Sequence, residues 1–212
     1  MRKYDIHAFG PLLATFEMPE DLTDWLLEEA NKLKGKKELS ANKNLAGQLK
    51  EQYYFPDKIR EEFYKRFNPV FSQYRNIHCD FHKLTPKKLE WGAKVLWVNF
   101  MKKHEFNPIH NHGGLVSFIL FIQIPFNYKE LQNISPGRAS NSKRAGAVEF
   151  YGVDWERIID TLYFEVDKTY EKKAFIFPAA LQHSVYPFYG TDEYRITVSG
   201  NLAFTKVTKG DL

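Results

Sequence analysis

Two histidines, His110 and His112, stand two positions apart, immediately before LVSFILFIQIP (115–125), the most apolar run of the chain. Residues i and i+2 of a strand point to the same face, so the two imidazoles would converge if a strand begins here. Such a pair suits one metal ion, and imidazole binds iron, zinc, copper and nickel alike. A hydrogen-bonded turn that leads into a core strand is the competing interpretation.

A third metal ligand has to come from elsewhere in the chain. The other histidines are His7, His78, His82, His104 and His183. His183 stands out because it precedes a further predicted strand, and Arg195 lies twelve residues beyond it within YRITVSG. A buried Arg needs a partner, and it binds carboxylates through two parallel hydrogen bonds. A carboxylate of a bound molecule would satisfy Arg195; an exposed strand face or an ion pair with Glu193 would also account for it.

Composition excludes several classes of protein. The 212 residues are 43% apolar and 16% aromatic, which is enough for one sizeable core and favours β structure. The formal charge of +4 indicates a solvated surface rather than a nucleic-acid groove. Cys79 is the single cysteine, so no internal disulfide can form and a reducing compartment is expected. The N-terminus has no secretory signal pattern and no apolar run is long enough for a membrane span, so we expect a cytoplasmic protein.

The first 93 residues predict a mainly helical support region. Residues 19–35 place apolar side chains at a 3.6-residue period and end at Gly35, which indicates a helix. A second helix is predicted over 57–77, interrupted or kinked around Pro69. Residues 11–18 are predicted to form an edge strand.

The part from 94 to 212 has a different pattern. Short segments rich in β formers alternate with turn residues, at 94–102, 115–125, 145–152, 161–167, 173–178, 183–188 and 194–204. They predict a β-sandwich or barrel with the helices packed against one face. The intervening segment 127–144 is rich in Asn, Ser, Gly and Lys and is predicted to be a mobile surface loop, of a length often found in lids.

Several of these blocks together resemble the Fe(II)/2-oxoglutarate-dependent dioxygenases, and more narrowly the prolyl-hydroxylase-like oxygenases of phages and bacteria. The blocks are WVNF (97–100), NPIHNHGGLVSFILFIQIP (107–125), GAVEFYG (146–152), FIFPAALQHSVYP (175–187) and RITVSGNL (195–202). The resemblance implies a mostly β protein, a double-stranded β-helix of the jelly-roll, cupin-like type, with N-terminal helices packed against one sheet. It also implies one structural domain, with residues 1–93 supporting a catalytic core over 94–212.

The resemblance further implies site residues. His110 and His183 correspond to iron ligands, and Arg195 to the residue that binds the far carboxylate of 2-oxoglutarate. A hydroxyl from Ser117 or Tyr186 would assist Arg195. Asn99 and Asn201 are candidate polar liners of the pocket, although either could equally bond to neighbouring strand residues.

His112 is a departure from the family pattern, since most members carry an acid at this position. The narrower group is similar in having His-x-His, so His112 is kept as the third ligand. A neutral ligand leaves the iron site one charge more positive, and Glu105 or Glu149 could supply a carboxylate instead.

The implied enzyme is an oxygenase that uses Fe(II), O2 and 2-oxoglutarate, with ascorbate in support. It would hydroxylate an unidentified substrate, with a protein side chain slightly favoured over a nucleotide or a metabolite, and would release succinate and CO2. Two alternatives remain at the level of sequence. Three histidines also describe a catalytic zinc site or a cupin-type metalloenzyme, and a barrel of this kind could be a degenerate, non-catalytic binding domain.

Overall fold

Eleven strands and three α-helices are present in the computed structural model, which describes residues 3–8, 11–81, 90–153 and 158–206. The strands are β1 (Tyr4–Ala8), β2 (Leu12–Glu17), β3 (Glu51–Tyr54), β4 (Glu90–Met101), β5 (Asn107–His110), β6 (Val116–Gln123), β7 (Val148–Val153), β8 (Ile159–Phe164), β9 (Lys173–Pro178), β10 (Gln182–Val185) and β11 (Arg195–Lys206). The helices are α1 (Glu20–Asn31), α2 (Asp57–Phe81) and α3 (Tyr128–Ile134).

The strands form two antiparallel sheets that face each other. The larger sheet has seven strands in the order β1-β2-β9-β6-β11-β4-β3, and the smaller has four in the order β5-β10-β7-β8. From β5 to β11 the chain crosses repeatedly between the two sheets, which is the connectivity of a jelly roll. The predicted double-stranded β-helix is therefore confirmed.

Alternation along β6 separates two apolar cores. Phe118, Leu120 and Ile122 face one way and belong to the core beneath the helices, where Phe118 lies 5.4 Å from the ring of Phe63 on α2. The residues between them, including Phe121, face the smaller sheet and belong to the second core. A strand buried on both faces accounts for the continuous apolar run in the sequence. The prediction that the N-terminal helices pack against one sheet is confirmed.

The strand expected at 11–18 is β2, but it lies between β1 and β9 and is not an edge strand. The N-terminal segment also contributes β1 and β3, which form the two edges of the larger sheet. The helix α2 continues through Pro69 instead of being interrupted there. The division of the chain at residue 93 stays a prediction. Within the described ranges, no helix is both long and apolar enough to cross a lipid bilayer.

The predicted loop over 127–144 is wrong in its first half, where α3 forms. Asn127 caps this helix, since its side-chain oxygen accepts from the backbone N–H groups of Lys129 and Glu130. Tyr128 and Leu131 are buried beneath it. The polar composition of the segment concealed these two anchoring side chains.

Candidate metal centre and co-substrate pocket

His110, His112 and His183 lie at one end of the barrel, with their potential ligand atoms all within 4.8 Å of one another. His110 ends β5 and His183 lies on the neighbouring strand β10, directly opposite it in the antiparallel register. The ring centroids of this pair are 4.3 Å apart, and His112 lies 5.0 Å from His110 and 5.1 Å from His183. Two strands and one turn thus bring three imidazoles to a single point.

Backbone carbonyls orient two of the three imidazoles. The Nδ1–H of His110 donates to the carbonyl oxygen of Pro108 at 2.8 Å, and that of His183 donates to Leu181 at 3.1 Å. These bonds fix the tautomer, because a carbonyl oxygen can only accept. The Nε2 lone pair of each ring is therefore left for a ligand.

His112 is held differently. Its backbone N–H donates to the carbonyl of Ala179, while its ring has no hydrogen-bond partner in the described part of the chain and packs 5.4 Å from the indole of Trp97. Gly114 follows it with a φ of +119°, and a Cβ there would lie 2.7 Å from the carbonyl oxygen of Leu202. Only glycine fits this approach of the turn to β11.

The surroundings keep the imidazoles uncharged. Phe150 stacks on His183 with centroids 5.6 Å apart, and Phe177 meets the same ring edge to face at 4.9 Å. Burial in this apolar shell lowers the pKa of all three histidines, of His183 well below its ordinary value and of His112 to about 3. Neutral imidazole is the form that binds a metal.

No carboxylate joins this cluster among the residues that the structure describes. Glu149 lies beside Phe150 on β7 and therefore points to the opposite face of the smaller sheet, where it accepts from Tyr151 and Tyr186. Glu105 accepts from the backbone N–H groups of Lys50 and Lys102. Both sequence candidates for a carboxylate ligand thus bond elsewhere, which favours His112.

Arg195 is the largest polar side chain in the interior, with 1% of its surface exposed. Its Nη1 donates to the carbonyl of Gly146 at 3.0 Å, and its Nε has no partner among the described residues. Burial without a carboxylate lowers the pKa of this guanidinium to about 9. The ion pair with Glu193 that the sequence left open is not present in the described structure.

One cavity of about 170 Å³ contains both groups, since its lining includes the three histidines and Arg195. Asn99, predicted from the sequence, also lines it. Sequence reasoning missed Gln52 on β3, Thr197 on β11 and residues 44–47 and 49, which line it too. Thr197 could have been found, because it lies two residues after Arg195 on the same strand face; Gln52 carried no local signal.

The other predicted liners lie apart from the cavity. The Ser117 hydroxyl is buried and donates to the carbonyl of Gly200. Tyr186 donates to Glu149 on the outer side of the smaller sheet at 2.6 Å. Asn201 is buried, and its Oδ1 has no partner in the described residues. Of the remaining histidines considered, His82 lies outside the described residues, as does the side chain of His7.

The donor set fits an iron ion. Three neutral imidazoles with convergent lone pairs occupy one side of the cavity, and neutral nitrogen ligands suit Fe(II). Arg195 lines the same cavity, and its buried Nε has no partner among the described residues, which favours an anion as the bound group.

Comparison with known proteins agrees with this chemistry. A family model described as 2OG-Fe(II) oxygenase, where 2OG is 2-oxoglutarate, matches residues 95–201, half of the chain. No curated protein matches the chain by sequence.

Solved structures with the same fold are similar over nearly their whole length. A prolyl-4-hydroxylase from Pseudomonas putida has a TM-score of 0.54 at 13% identity, with 92% of this chain and 94% of that one covered. The collagen prolyl hydroxylase of Paramecium bursaria Chlorella virus-1, in complex with 2OG, has a TM-score of 0.52 at 13% identity, with 91% and 96% covered. EvdO2 from Micromonospora carbonacea var. aurantiaca, in complex with 2-oxoglutarate, has a TM-score of 0.51 at 13% identity, with 94% and 90% covered.

At these identities the likeness to solved structures shows the fold alone, the jelly roll of the 2-oxoglutarate oxygenases. The family model rests on the sequence itself, and its match includes His110, His112, His183 and Arg195. The chain belongs to the 2OG-Fe(II) oxygenase family and is a 2-oxoglutarate-dependent oxygenase.

Proposed function

We propose that His110, His112 and His183 hold Fe(II), that Arg195 binds the distal carboxylate of 2-oxoglutarate, and that the enzyme hydroxylates a side chain of a protein substrate. The observation that carries this proposal is the fully buried Arg195, which has no carboxylate partner among the described residues and lines the same cavity as the three imidazoles. A buried guanidinium without a carboxylate is destabilising. A dicarboxylate that reaches from the metal to Arg195 would remove this destabilisation by pairing with the guanidinium.

Iron, when bound, supplies the activation of O2 that couples oxidative decarboxylation of 2-oxoglutarate to hydroxylation of a substrate C–H bond. The chain's own residues perform the binding and orientation. Arg195 offers a planar fork of N–H donors to one carboxylate, and its pair with that anion restores the charge balance of the interior. Phe150 and Phe177 keep water from the rear of His183, so that the imidazole stays neutral.

The size of the cavity supports a macromolecular substrate. Its volume of about 170 Å³ is below the roughly 300–1,000 Å³ of pockets that enclose a whole drug-sized ligand. With 2-oxoglutarate bound, only a small group can enter. A side chain presented by a larger molecule meets this requirement, and two of the structurally similar proteins are named as prolyl hydroxylases.

A groove next to the cavity could receive the rest of such a substrate. It shares Leu45, Gly47 and Leu49 with the cavity wall and measures about 740 Å³. Lys50 and Lys102 line it. A polypeptide lying in this groove could direct one side chain past the 44–49 segment towards the iron.

The proposal is tested by incubating the purified protein with Fe(II), ascorbate as reductant, O2 and 2-oxoglutarate, and measuring succinate. Calorimetry without O2 measures the affinities for Fe(II) and 2-oxoglutarate separately. We expect slow succinate formation even without a primary substrate, and iron-dependent binding of 2-oxoglutarate. A protein that binds neither iron nor 2-oxoglutarate would contradict the proposal.

Three variants assign the roles. We expect His183→Ala to weaken Fe(II) binding by at least about 100-fold, since a ligand is lost. His104→Asn is its control, because His104 lies outside the cluster and has a φ of +70° that Asn tolerates. Arg195→Met should weaken 2-oxoglutarate by about tenfold to 100-fold and spare Fe(II). Unchanged 2-oxoglutarate affinity in Arg195→Met would exclude the anchor role.

A further inference from the structure

Gln52, Asn99 and Thr197 form one row of hydrogen bonds across three strands. Gln52 on β3 lies directly opposite Asn99 on β4, and Asn99 lies directly opposite Thr197 on β11. The Gln52 Nε2–H donates to Asn99 Oδ1 at 2.8 Å, and the Asn99 Nδ2–H donates to the Thr197 hydroxyl at 3.1 Å. All three side chains are buried and line the cavity.

Such a row has two self-consistent directions. Each carboxamide has a donor end and an acceptor end, and a hydroxyl can donate or accept. In the direction that the structure has, Thr197 accepts from Asn99, so its own proton is available to the cavity. If both carboxamides turn over, Thr197 must give its proton to Asn99, and only oxygen lone pairs then face the cavity.

The direction is not fixed at the Gln52 end. The Oε1 of Gln52 is buried and has no partner among the described residues, so the row ends there without a constraint. At the other end, Thr197 lies two residues from Arg195 on the same strand face. A carboxylate bound to Arg195 needs further donors and is repelled by lone pairs, so it favours the direction in which Thr197 donates.

We propose that Gln52 is a positioning residue for the co-substrate. Gln52 acts through Asn99, so that the Thr197 proton is directed at the carboxylate of 2-oxoglutarate. This inference rests on the proposed function of Arg195. Gln52 touches no co-substrate itself. Its contribution is an N–H group from which Asn99 can accept, so that Asn99 is free to donate to Thr197 when the bound carboxylate favours that direction.

The substitution Gln52→Glu tests this role. An ionised carboxylate cannot donate to Asn99 and instead accepts from it, so Asn99 turns over and takes the Thr197 proton. We expect about tenfold weaker binding of 2-oxoglutarate by calorimetry of the Fe(II) protein without O2, at pH 8 to keep the carboxylate ionised. Thr197→Val should cost about the same factor, because it removes the same hydrogen bond.

The double variant Gln52→Glu/Thr197→Val decides between the relay and simple charge repulsion. If Gln52 acts through the Thr197 hydroxyl, the double variant binds 2-oxoglutarate about tenfold less tightly, no weaker than either single variant. Repulsion by the new charge would instead multiply the two losses to about 100-fold. That product, or unchanged affinity in Gln52→Glu, would overturn the proposal.

Two further variants serve as an alternative test and a control. Asn99→Asp forces Thr197 to donate to position 99, so it should reproduce the non-additive result if Gln52→Glu fails to fold. Asn107→Asp adds a charge to the same cavity wall outside the row. The factor by which it weakens 2-oxoglutarate binding should multiply with the factor measured for Thr197→Val. Non-additivity there as well would refute a specific relay. Absence of 2-oxoglutarate binding in the wild type would refute the proposed function itself, which separates the two failures.

Discussion

His110 and His183 are directly paired residues of two antiparallel strands, and their ring centroids lie 4.3 Å apart. The register of β5 and β10 therefore sets the separation of two candidate iron ligands. A slip of one residue would turn one imidazole to the outer face of the smaller sheet. Phe150 continues the row on β7, directly opposite His183, and so ties the register to the apolar core.

The first prediction concerns the missing carboxylate. We expect His112→Asp to retain Fe(II) binding, since a carboxylate can replace the imidazole, whereas the affinity of His112→Ala for Fe(II) should fall by about 100-fold. The carboxylate also makes the site one charge less positive, so 2-oxoglutarate should bind several-fold more weakly than in the wild type. Calorimetry without O2 measures both affinities.

Comparing these two variants shows whether His112 is a ligand of the iron or only its neighbour. His112→Ala and His112→Asp remove the same ring from beside Trp97, so their packing losses are comparable. If both variants bind Fe(II) as tightly as the wild type, His112 is a neighbour of the iron and not a ligand.

The second prediction is a pH dependence of stability that originates at Glu149. Burial alone would raise the pKa of this carboxyl, but the hydrogen bonds from Tyr186 and Tyr151 and the charge of Arg144 outweigh it and lower the pKa. A carboxyl whose pKa is lowered by folding stabilises the protein above its ordinary pKa, and this stabilisation is lost as pH falls through the folded-state value. Acidification should therefore weaken the outer side of the smaller sheet.

Glu149→Gln tests this dependence without touching the cavity. We expect the variant to be less stable than the wild type by about 1–3 kcal/mol at pH 7 in urea unfolding. The difference should shrink when unfolding is repeated at a pH below the lowered pKa of Glu149. A difference that is the same at both pH values would show that the loss comes from packing and not from the charge.

The third prediction concerns the wall of the cavity at Gly47. A Cβ at this position would lie 2.5 Å from Asn107 Oδ1 and 2.9 Å from Gln52 Nε2. Gly47→Ala must displace one of these side chains, so 2-oxoglutarate should bind several-fold more weakly while Fe(II) binding is unchanged. Gly137→Ala is the control, because its nearest neighbour atom would be 4.0 Å away. Equal 2-oxoglutarate affinity in the two variants would contradict the prediction.

Much of the fold could be predicted from local pattern. The long apolar strand β6 and the alternating strands β4 and β11 carry strong β signals, and α1 has a clear helical period. The strands β3 and β5 were missed because each has four residues and gains its stability from pairing with a distant strand. The helix α3 was missed because turn-forming residues surround its two buried anchors.

The candidate site likewise contains some residues that could be proposed from the sequence and others that only the fold brings to the cavity. His110, His112, His183 and Arg195 could be proposed because the sequence blocks that contain them resemble those of the 2-oxoglutarate-dependent oxygenases. Gln52 could not, since its importance arises from a register that joins β3 to β4 across 47 positions of sequence. Ser117 and Tyr186 were chosen for their hydroxyls, but the packing of β6 and the face of the smaller sheet direct these groups elsewhere.

Gly114 has a consequence for how this enzyme can evolve. Every amino acid that could replace it carries a Cβ, which would meet the Leu202 carbonyl at 2.7 Å and would be strained at a φ of +119°. The turn that presents His112 would have to move, although Gly114 is not itself a candidate ligand of iron. A lineage can thus exchange the chemistry of position 112 by mutation more readily than it can alter the glycine that follows two residues later.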